Sequence, residues 1–228
     1  MMHLAIVIPV YNEGDVIYRV INTLPKKIDR IAKISIIAVD DGSTDNSAEE
    51  IRKTKAALVS HSYNLGAGSA TVTGFEAAKI LRADLVVTLD GDGQHNPKDI
   101  PGVIKPIIEN KADLVIGTRL KNHKGMPWHK KIGNIGLNVV TFLLSGKWAS
   151  DSQSGFKAFS HKAINNLKLD SLGYEFCSEI IMEASTKNLR IKEVPIQVIY
   201  NSYSKNKGQP ILNGVNIVAK LIFRKITG

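Results

Sequence analysis

Three acidic or polar clusters carry the residue types that hold metals and phosphates. Each directly follows a short apolar run: Pro9-Val10-Tyr11-Asn12-Glu13, Asp40-Asp41-Gly42-Ser43-Thr44-Asp45 and Asp90-Gly91-Asp92-Gly93-Gln94-His95. One such cluster could be an ordinary turn, because turns are rich in Asp and Gly. Three of them at equivalent strand ends of one parallel sheet predict a shared ligand-binding crevice.

Among these residues, Asp90 and Asp92 give the most specific chemical signal. In extended backbone, residues i and i+2 point the same way, so both carboxylates can share one hard divalent cation. A calcium loop of the EF-hand type is excluded, because its sixth and twelfth positions would be His95 and Pro101 instead of Gly and Glu. The pair predicts Mg²⁺ or Mn²⁺, with further ligands supplied by the phosphates of a substrate.

Other chemical signals in the sequence are weaker. The run Asn64-Leu65-Gly66-Ala67-Gly68 precedes a helical pattern and could let a phosphate or nucleotide approach the backbone. A plain glycine-rich loop is the alternative, since a dinucleotide fingerprint would not have Thr71 at its sixth position. No P-loop and no Ser-His-Asp or Cys-His arrangement can be assigned, and Cys177 is expected to face the core.

The elements that must position these residues alternate along the first half of the chain. Amphipathic helices are predicted at residues 16–24 and 100–108, the second after Asn96 as N-cap and Pro97 at the first helical position. Continuous β-branched runs predict buried parallel strands at residues 4–8, 34–39, 56–60, 85–89 and 114–116. This alternation predicts an α/β fold with a doubly wound, mainly parallel sheet flanked by helices.

The pattern changes after Arg119. A basic segment leads to a predicted helix at 132–144, a segment at 151–160, a helix at 178–186, a strand at 191–200, and a last amphipathic helix at 211–226. No linker separates two domains, so residues 1–228 are expected to form one domain. Residues 120–228 are then expected to complete the site that residues 1–119 begin.

Composition limits the class of protein. The chain has 228 residues, and a hydrophobic fraction of 43% excludes both a disordered chain and a polytopic membrane protein. Its single cysteine suits a reducing compartment. The longest apolar stretch, residues 132–145, falls short of the roughly 20 residues that a bilayer span needs. No signal peptide is expected, because the first apolar run has no basic lead. The net charge of +9 predicts an anionic partner: nucleic acid, phosphorylated substrate or membrane surface.

Taken together, the three clusters resemble the family-two glycosyltransferases of the GT-A fold. Within that family, the chain is most similar to the dolichyl-phosphate or polyprenyl-phosphate sugar synthases. The likeness covers about the whole chain and continues through Gly117-Thr118-Arg119, the run from Asp151 to Phe159, Tyr174-Glu175-Phe176 and Glu193-Val194-Pro195-Ile196.

This resemblance implies that residues 1–119 bind the nucleotide sugar and the metal, and that residues 120–228 bind the acceptor. It also implies roles for named residues. The residues expected to contact the base and ribose of a sugar-nucleotide donor are Pro9, Tyr11, Glu13 and Asp41. Asp90 and Asp92 would hold the metal on the donor diphosphate, with Gln94 near the sugar and Arg119 on a phosphate. Lys131 and Lys205 are the candidates for the acceptor phosphate, although the arginine expected in the late loop is missing.

The implied reaction is inverting transfer of a sugar from UDP-GlcNAc, UDP-Glc or GDP-Man to dolichyl or polyprenyl phosphate. A phosphate acceptor needs no general base, whereas the alternative acceptor, a hydroxyl of a glycan or protein, would need one; Asp151 and Glu175 are the candidates beside Asp92 in the catalytic centre. We expect a peripheral protein at the cytoplasmic face of the membrane, contacting it through the amphipathic C-terminal helix, with a small membrane partner subunit. Nucleic-acid binding is not expected, because no recognition helix or aromatic-interleaved basic motif is present.

Overall fold

The computed structural model describes residues 2–119, 128–199 and 221, without the side chains of residues 128–132. In this part of the chain, seven strands form one sheet in the order β3-β2-β1-β4-β6-β5-β7. The strands are β1 (Met2–Val10), β2 (Ile31–Asp40), β3 (Ala57–Ser60), β4 (Leu85–Thr88), β5 (Leu114–Thr118), β6 (Lys157–Ser160) and β7 (Ile191–Pro195). All pairs are parallel except those of β6, which runs antiparallel to both β4 and β5. The predicted mainly parallel α/β sheet is confirmed.

Helices cover both faces of the sheet. They are α1 (Ile17–Thr23), α2 (Ser47–Arg52), α3 (Ala67–Ile80), α4 (Ile100–Ile108), α5 (Trp128–Ser145), α6 (His161–Asn166) and α7 (Phe176–Thr186). One apolar cluster joins the sheet to α1, α2 and α4, and a second joins it to α3, α6 and α7. In β1, Ile6 and Ile8 belong to the first cluster and Ala5 and Val7 to the second, so both faces of the strand are buried. This double cover explains why the strands are apolar without alternation.

Two local predictions at the edges of elements are confirmed. Asn96 caps the 3₁₀ turn Pro97–Asp99 that leads into α4, and its Oδ1 accepts a hydrogen bond from the Lys98 amide at 3.1 Å. Cys177 is buried in the second apolar cluster, as expected for a core residue. None of the helices in the described ranges has both the length and the apolar character needed to cross a membrane.

The predicted strand at residues 191–200 is too long, because β7 ends at Pro195. The Gln197 amide instead donates to Oδ2 of Asp99 at 2.7 Å, and the Ile199 amide donates to the carbonyl of Gln94 at 2.8 Å. The neighbouring strand β5 ends at Thr118, which pairs with Pro195. Residues 197 and 199 therefore form hydrogen bonds with the segment that follows β4. The predicted last helix lies outside the described residues, apart from Leu221, which is helical and buried.

The insertion of β6 between β4 and β5 decides where the second half of the chain meets the first. Lys157 of β6 pairs with Thr88 of β4 and Ile116 of β5. Since β6 is antiparallel, its entry point lies at the same edge of the sheet as the exit of β4. The turn 151–156 before β6 is therefore placed beside Asp90, directly beyond the end of β4.

Candidate functional site

The loops after β1 and β2 are joined by hydrogen bonds into one unit. The amide of Asn12 donates to Oγ of Ser43 at 2.9 Å, and the amide of Thr44 donates back to Oδ1 of Asn12 at 2.9 Å. The amide of Glu13 donates to Oγ of Ser47 at 2.8 Å. Asn12 adopts φ +54°, a left-handed conformation that Asn tolerates better than most residues. The polar residues of these two loops are therefore used first to fix each other.

The residues of the first loop that are expected to contact the nucleotide differ in their exposure to solvent. Tyr11 is exposed over 46% of its surface, whereas Pro9 and Glu13 are half-buried. A Cβ on Gly91 would lie 3.2 Å from the carbonyl oxygen of Pro9 and 3.6 Å from Cγ of Glu13. The loop after β1 thus contacts the loop after β4, and the predicted nucleotide and metal segments meet at one edge of the sheet.

Asp41 is buried, and its carboxylate is already engaged within the protein. Its Oδ1 accepts from the Leu65 amide at 2.9 Å and from Nδ1 of His61 at 2.7 Å, and its Oδ2 accepts from the Gly66 amide at 2.8 Å. Nε2 of His61 lies 2.9 Å from Oγ1 of Thr73. The carboxylate therefore anchors the start of α3, a contact that the sequence analysis did not predict.

The glycine-rich loop before α3 does not leave its backbone open for a phosphate. The Gly68 amide donates to the carbonyl of Leu172 at 2.8 Å, while the Gly66 amide is held by Asp41. A Cβ on Gly66 would lie 2.3 Å from the Leu172 oxygen, and one on Gly68 would lie 2.0 Å from the Ser171 oxygen. The phosphate interpretation of this loop is wrong: the glycines let the segment 171–173 cross over the start of the helix.

Asp90 and Asp92 lie in the loop that follows β4, as the sequence predicts. Gln94 fixes Asp92 through two hydrogen bonds, from its amide to Oδ1 at 2.9 Å and from Nε2 to Oδ2 at 2.5 Å. The Asp90 side chain keeps 48% of its surface open to solvent although protein groups surround it. Desolvation raises the pKa of both carboxyls, and the charge of Asp90 raises that of Asp92 further. A divalent cation between them would relieve this repulsion.

His95 is buried beneath the acidic loop, and its ring is uncharged. Burial lowers its pKa to about 4, so the imidazole is uncharged at neutral pH. Its ring packs against Phe156, with centroids 5.3 Å apart, and its Nε2 lies 3.6 Å from Oδ2 of Asp90. An uncharged ring behind Asp90 adds no positive charge that would oppose a metal ion.

Gly155 lies directly against the Asp90 carboxylate. A Cβ at this position would fall 2.1 Å from Oδ1 of Asp90, and Oγ1 of Thr88 donates to the Gly155 carbonyl at 2.7 Å. The absent side chain leaves the space that the carboxylate occupies. Within the described residues, no group of three or more His, Cys, Asp or Glu side chains could complete a metal shell. Two carboxylates opening to solvent fit Mg²⁺ or Mn²⁺, which take their other ligands from phosphates and water.

Arg119 and Asp151, both predicted site residues, form a bidentate ion pair. Nε and Nη2 of Arg119 donate to the two carboxylate oxygens at 2.7 and 2.6 Å, and the Arg119 amide donates to Oδ2 at 3.0 Å. Asp151 is only 1% exposed. Burial by itself would raise the pKa of Asp151, but the hydrogen bonds and charge of Arg119 outweigh it and lower the pKa. A carboxylate held in this way is a weak proton acceptor.

Glu175 is buried just before α7, where its Oε1 accepts from the Gly173 amide at 3.4 Å. The sequence analysis gave no role to the next carboxylate, Glu179, which accepts from the amides of Asp170 at 2.7 Å and Ser171 at 2.9 Å. Glu179 thus shapes the segment that crosses α3. Its position one helical turn after Glu175, on the buried face of α7, was the available signal.

Lys157 is a second buried charge without a predicted role, although a lysine within the apolar run Phe156-Lys157-Ala158-Phe159 was a visible signal. The two acceptor candidates cannot be placed in the same way. The side chain of Lys131 and the whole of Lys205 lie outside the described residues. The site described so far therefore contains the donor and metal candidates together with Arg119, Asp151 and Glu175.

Known proteins share this sequence and architecture. The model of the family "Glycosyl transferase family 2" matches residues 5–168. An uncharacterized protein of Methanocaldococcus jannaschii is 40% identical over 228 aligned positions, which cover 97% of this chain and 91% of the relative. The UDP-N-acetylglucosamine–dolichyl-phosphate N-acetylglucosaminyltransferase of Methanococcus voltae is 40% identical over 243 positions, covering 97% and 95%.

Solved structures give the same architecture. The glucosyl-3-phosphoglycerate synthase of Mycobacterium tuberculosis, in complex with Mn²⁺, UDP-glucose and phosphoglyceric acid, superposes with a TM-score of 0.76 at 20% identity. The match covers all of this chain and 81% of that protein. At 20% identity, this similarity shows the fold alone. It confirms the GT-A architecture that the sequence motifs predict. The family match over more than half of the chain goes further: the chain belongs to glycosyl transferase family 2.

Proposed function

We propose that this glycosyltransferase moves a sugar from a nucleoside-diphosphate donor to dolichyl or polyprenyl phosphate, with inversion at the anomeric carbon. The observation that carries the proposal is the pair Asp90 and Asp92, both only partly buried, at the strand edge where the loops after β1 and β4 meet. The Methanococcus voltae relative, named for UDP-N-acetylglucosamine and dolichyl phosphate, supports this donor and acceptor because the likeness spans nearly both chains. UDP-glucose and GDP-mannose are the other donors to test.

In this proposal, Asp90 and Asp92 would hold a Mg²⁺ or Mn²⁺ ion, which would supply positive charge for the departing diphosphate. Gln94 keeps the Asp92 carboxylate in one orientation through its two hydrogen bonds. Tyr11 and Glu13 take the base and ribose of the donor. Asp41 holds the segment before α3 through the amides of Leu65 and Gly66, and its contact with the nucleotide stays a prediction from the sequence.

The state of Asp151 favours a phosphate acceptor over a hydroxyl acceptor. An oxygen of a phosphate monoester is anionic at neutral pH, so it can attack the anomeric carbon without giving up a proton. The bond from that carbon to the diphosphate breaks in the same step, and the nucleoside diphosphate leaves with the electron pair. A hydroxyl acceptor would need a general base, and the ion pair with Arg119 makes Asp151 a poor one. Glu175 is the remaining candidate for that role.

Contact with a membrane is part of the proposal, because the acceptor carries a lipid chain. On α5, the exposed large apolar side chains recur at helical spacing: Ile135, Val139, Phe142 and Leu143. Trp148 continues this surface beyond the helix, with its ring 5.8 Å from that of Phe142. An apolar helix face of this kind suits the interfacial region of a bilayer. Attachment at the cytoplasmic face and a membrane partner subunit remain predictions from the sequence.

Transfer of label to lipid tests the proposal. The protein would be given radiolabelled UDP-GlcNAc, UDP-glucose or GDP-mannose with dolichyl phosphate and Mn²⁺, and label would be counted in the organic phase. We expect one donor to label the lipid, and we expect EDTA or the Asp92→Asn variant to prevent it. A soluble glycan acceptor in parallel reactions separates the two functions. Label that enters the glycan and never the lipid would show that the acceptor is a hydroxyl.

A further inference from the structure

Lys157 is a fully buried lysine beside the metal candidates, and the proposed reaction does not use it. It begins β6, the strand inserted between β4 and β5, and is 1% exposed. Removing an ammonium group from water is unfavourable unless its charge and its hydrogen-bond donors are satisfied. An apolar residue would fill this place in the core without that desolvation penalty. The hydrogen bonds of Lys157 therefore indicate the role of its charge.

The ammonium group of Lys157 binds the backbone of the turn 152–155. Nζ donates to the carbonyl of Ser152 at 3.3 Å and makes a short hydrogen bond to the carbonyl of Ser154. The Ser154 amide in turn donates to the carbonyl of Asp151 at 3.2 Å. One buried cation thus gathers two carbonyls that point inward, and it holds the turn closed.

This turn is the surface on which Asp90 rests. It ends at Gly155, whose missing side chain leaves room for the Asp90 carboxylate, and Thr88 holds the Gly155 carbonyl from the other side. Lys157 therefore reaches Asp90 through the backbone of the turn.

We propose that Lys157 is a positioning residue of the metal site, which holds Gly155 against Asp90 through the carbonyls of Ser152 and Ser154. The inference rests on the proposed function, because it assumes that Asp90 binds the metal of a nucleotide donor. A loosened turn would let Gly155 retreat, and the Asp90 carboxylate would lose its fixed orientation. Outer-shell residues of this type typically contribute about 10- to 100-fold to metal affinity.

The test compares UDP binding with and without Mn²⁺ in Lys157→Met, measured by titration calorimetry, with Mn²⁺ binding followed by electron paramagnetic resonance. We expect affinity for UDP in the presence of Mn²⁺ to fall about tenfold. Affinity for UDP alone should stay unchanged, because Lys157 acts only through the metal ligand. Lys157→Gln keeps one hydrogen-bond donor for the turn, so its affinity for UDP in the presence of Mn²⁺ should fall less than that of Lys157→Met. It also provides a second neutral variant if the methionine variant does not fold.

Asp113→Asn is the matched control for lost stability. Asp113 is a buried carboxylate at the opposite end of β5, bonded to Nε of Arg190 at 3.0 Å, so its substitution destabilises the protein away from the site. This control should bind UDP with Mn²⁺ as the wild type does. Unchanged or tighter binding in a folded neutral variant of Lys157 would overturn the positioning role alone. A wild-type protein whose UDP binding ignores Mn²⁺ would overturn the proposed function, and this inference with it.

Discussion

Replacing Gly155 by alanine would test whether Asp90 holds the metal, with little effect on the fold. The added Cβ would lie 2.1 Å from Oδ1 of Asp90 and 2.5 Å from both Cγ and Oδ2. Rotation of the carboxylate about its own bond cannot relieve contacts with all three atoms. To reach the 3.4 Å of ordinary contact, Oδ1 must retreat by about 1.3 Å. Metal–ligand distances tolerate only about 0.2 Å, so Asp90 would leave the coordination shell.

The same substitution should cost little stability. The backbone of Gly155 is not in the left-handed region, so alanine fits its conformation. Substitution of glycine at a compatible site stabilises a protein by about 0.4–1 kcal/mol, which offsets the displacement of a half-exposed side chain. We therefore expect the free energy of unfolding in urea to change by less than about 1 kcal/mol.

Calorimetric titration with UDP and Mn²⁺ provides the assay for Gly155→Ala. Affinity should fall at least about tenfold, by analogy with the loss of supporting residues in other metal sites, and metal-free UDP binding should not change. Gly102→Ala in α4 is the control, because nothing lies within 4 Å of its added Cβ. Wild-type affinity in folded Gly155→Ala would refute the assignment of Asp90 as a metal ligand.

Three further predictions test the site. Asp92→Asn should abolish metal-dependent transfer with an unchanged circular-dichroism spectrum, because it keeps the shape and removes the charge that a cation needs; retained transfer would exclude Asp92 as a ligand. Arg119→Met leaves the Asp151 carboxylate buried without its guanidinium partner, so the free energy of unfolding at pH 7 should fall by about 3–5 kcal/mol. Adding Asp151→Asn should recover part of this loss, and strictly additive losses would contradict the ion pair. In the metal-free protein, unfolded His95 takes up a proton below about pH 6.5, whereas the folded ring stays neutral down to about pH 4. The free energy of unfolding should therefore decrease as the pH falls through this window, by up to about 3 kcal/mol, and an equal decrease in His95→Asn would refute the assignment.

Much of the fold follows from local signals in the sequence. The strands could be located because residues buried on both faces must be apolar at every position, as Ala5 and Ile6 are in opposite clusters. The cap at Asn96 could be predicted because its contact spans only two residues. The end of β7 could not, since Gln197 finds its partner in Asp99, far away along the chain.

The polar residues of the site divide in the same way. The sequence by itself determined that Asp90 and Asp92 follow a buried strand, because the apolar run that marks β4 is a local property of the chain. The i, i+2 argument assumed extended backbone, whereas Gly91 and Asp92 lie in a turn. The partners of Asp41 and Asp151 were decided only by the tertiary structure. Asp41 bonds to the amides before α3, and Asp151 bonds to Arg119, 32 residues earlier.

The most consequential feature that only the tertiary structure decided is the direction of β6. Its antiparallel insertion brings Gly155 under Asp90 and buries Lys157 behind the turn. The sequence identified residues 151–160 only as a segment, so it predicted neither the strand β6 nor its direction. A strand's apolar pattern would in any case be the same whether its neighbours run parallel or antiparallel. That direction depends on packing among residues far apart in the chain, and it converts two acidic residues in a loop into a supported site.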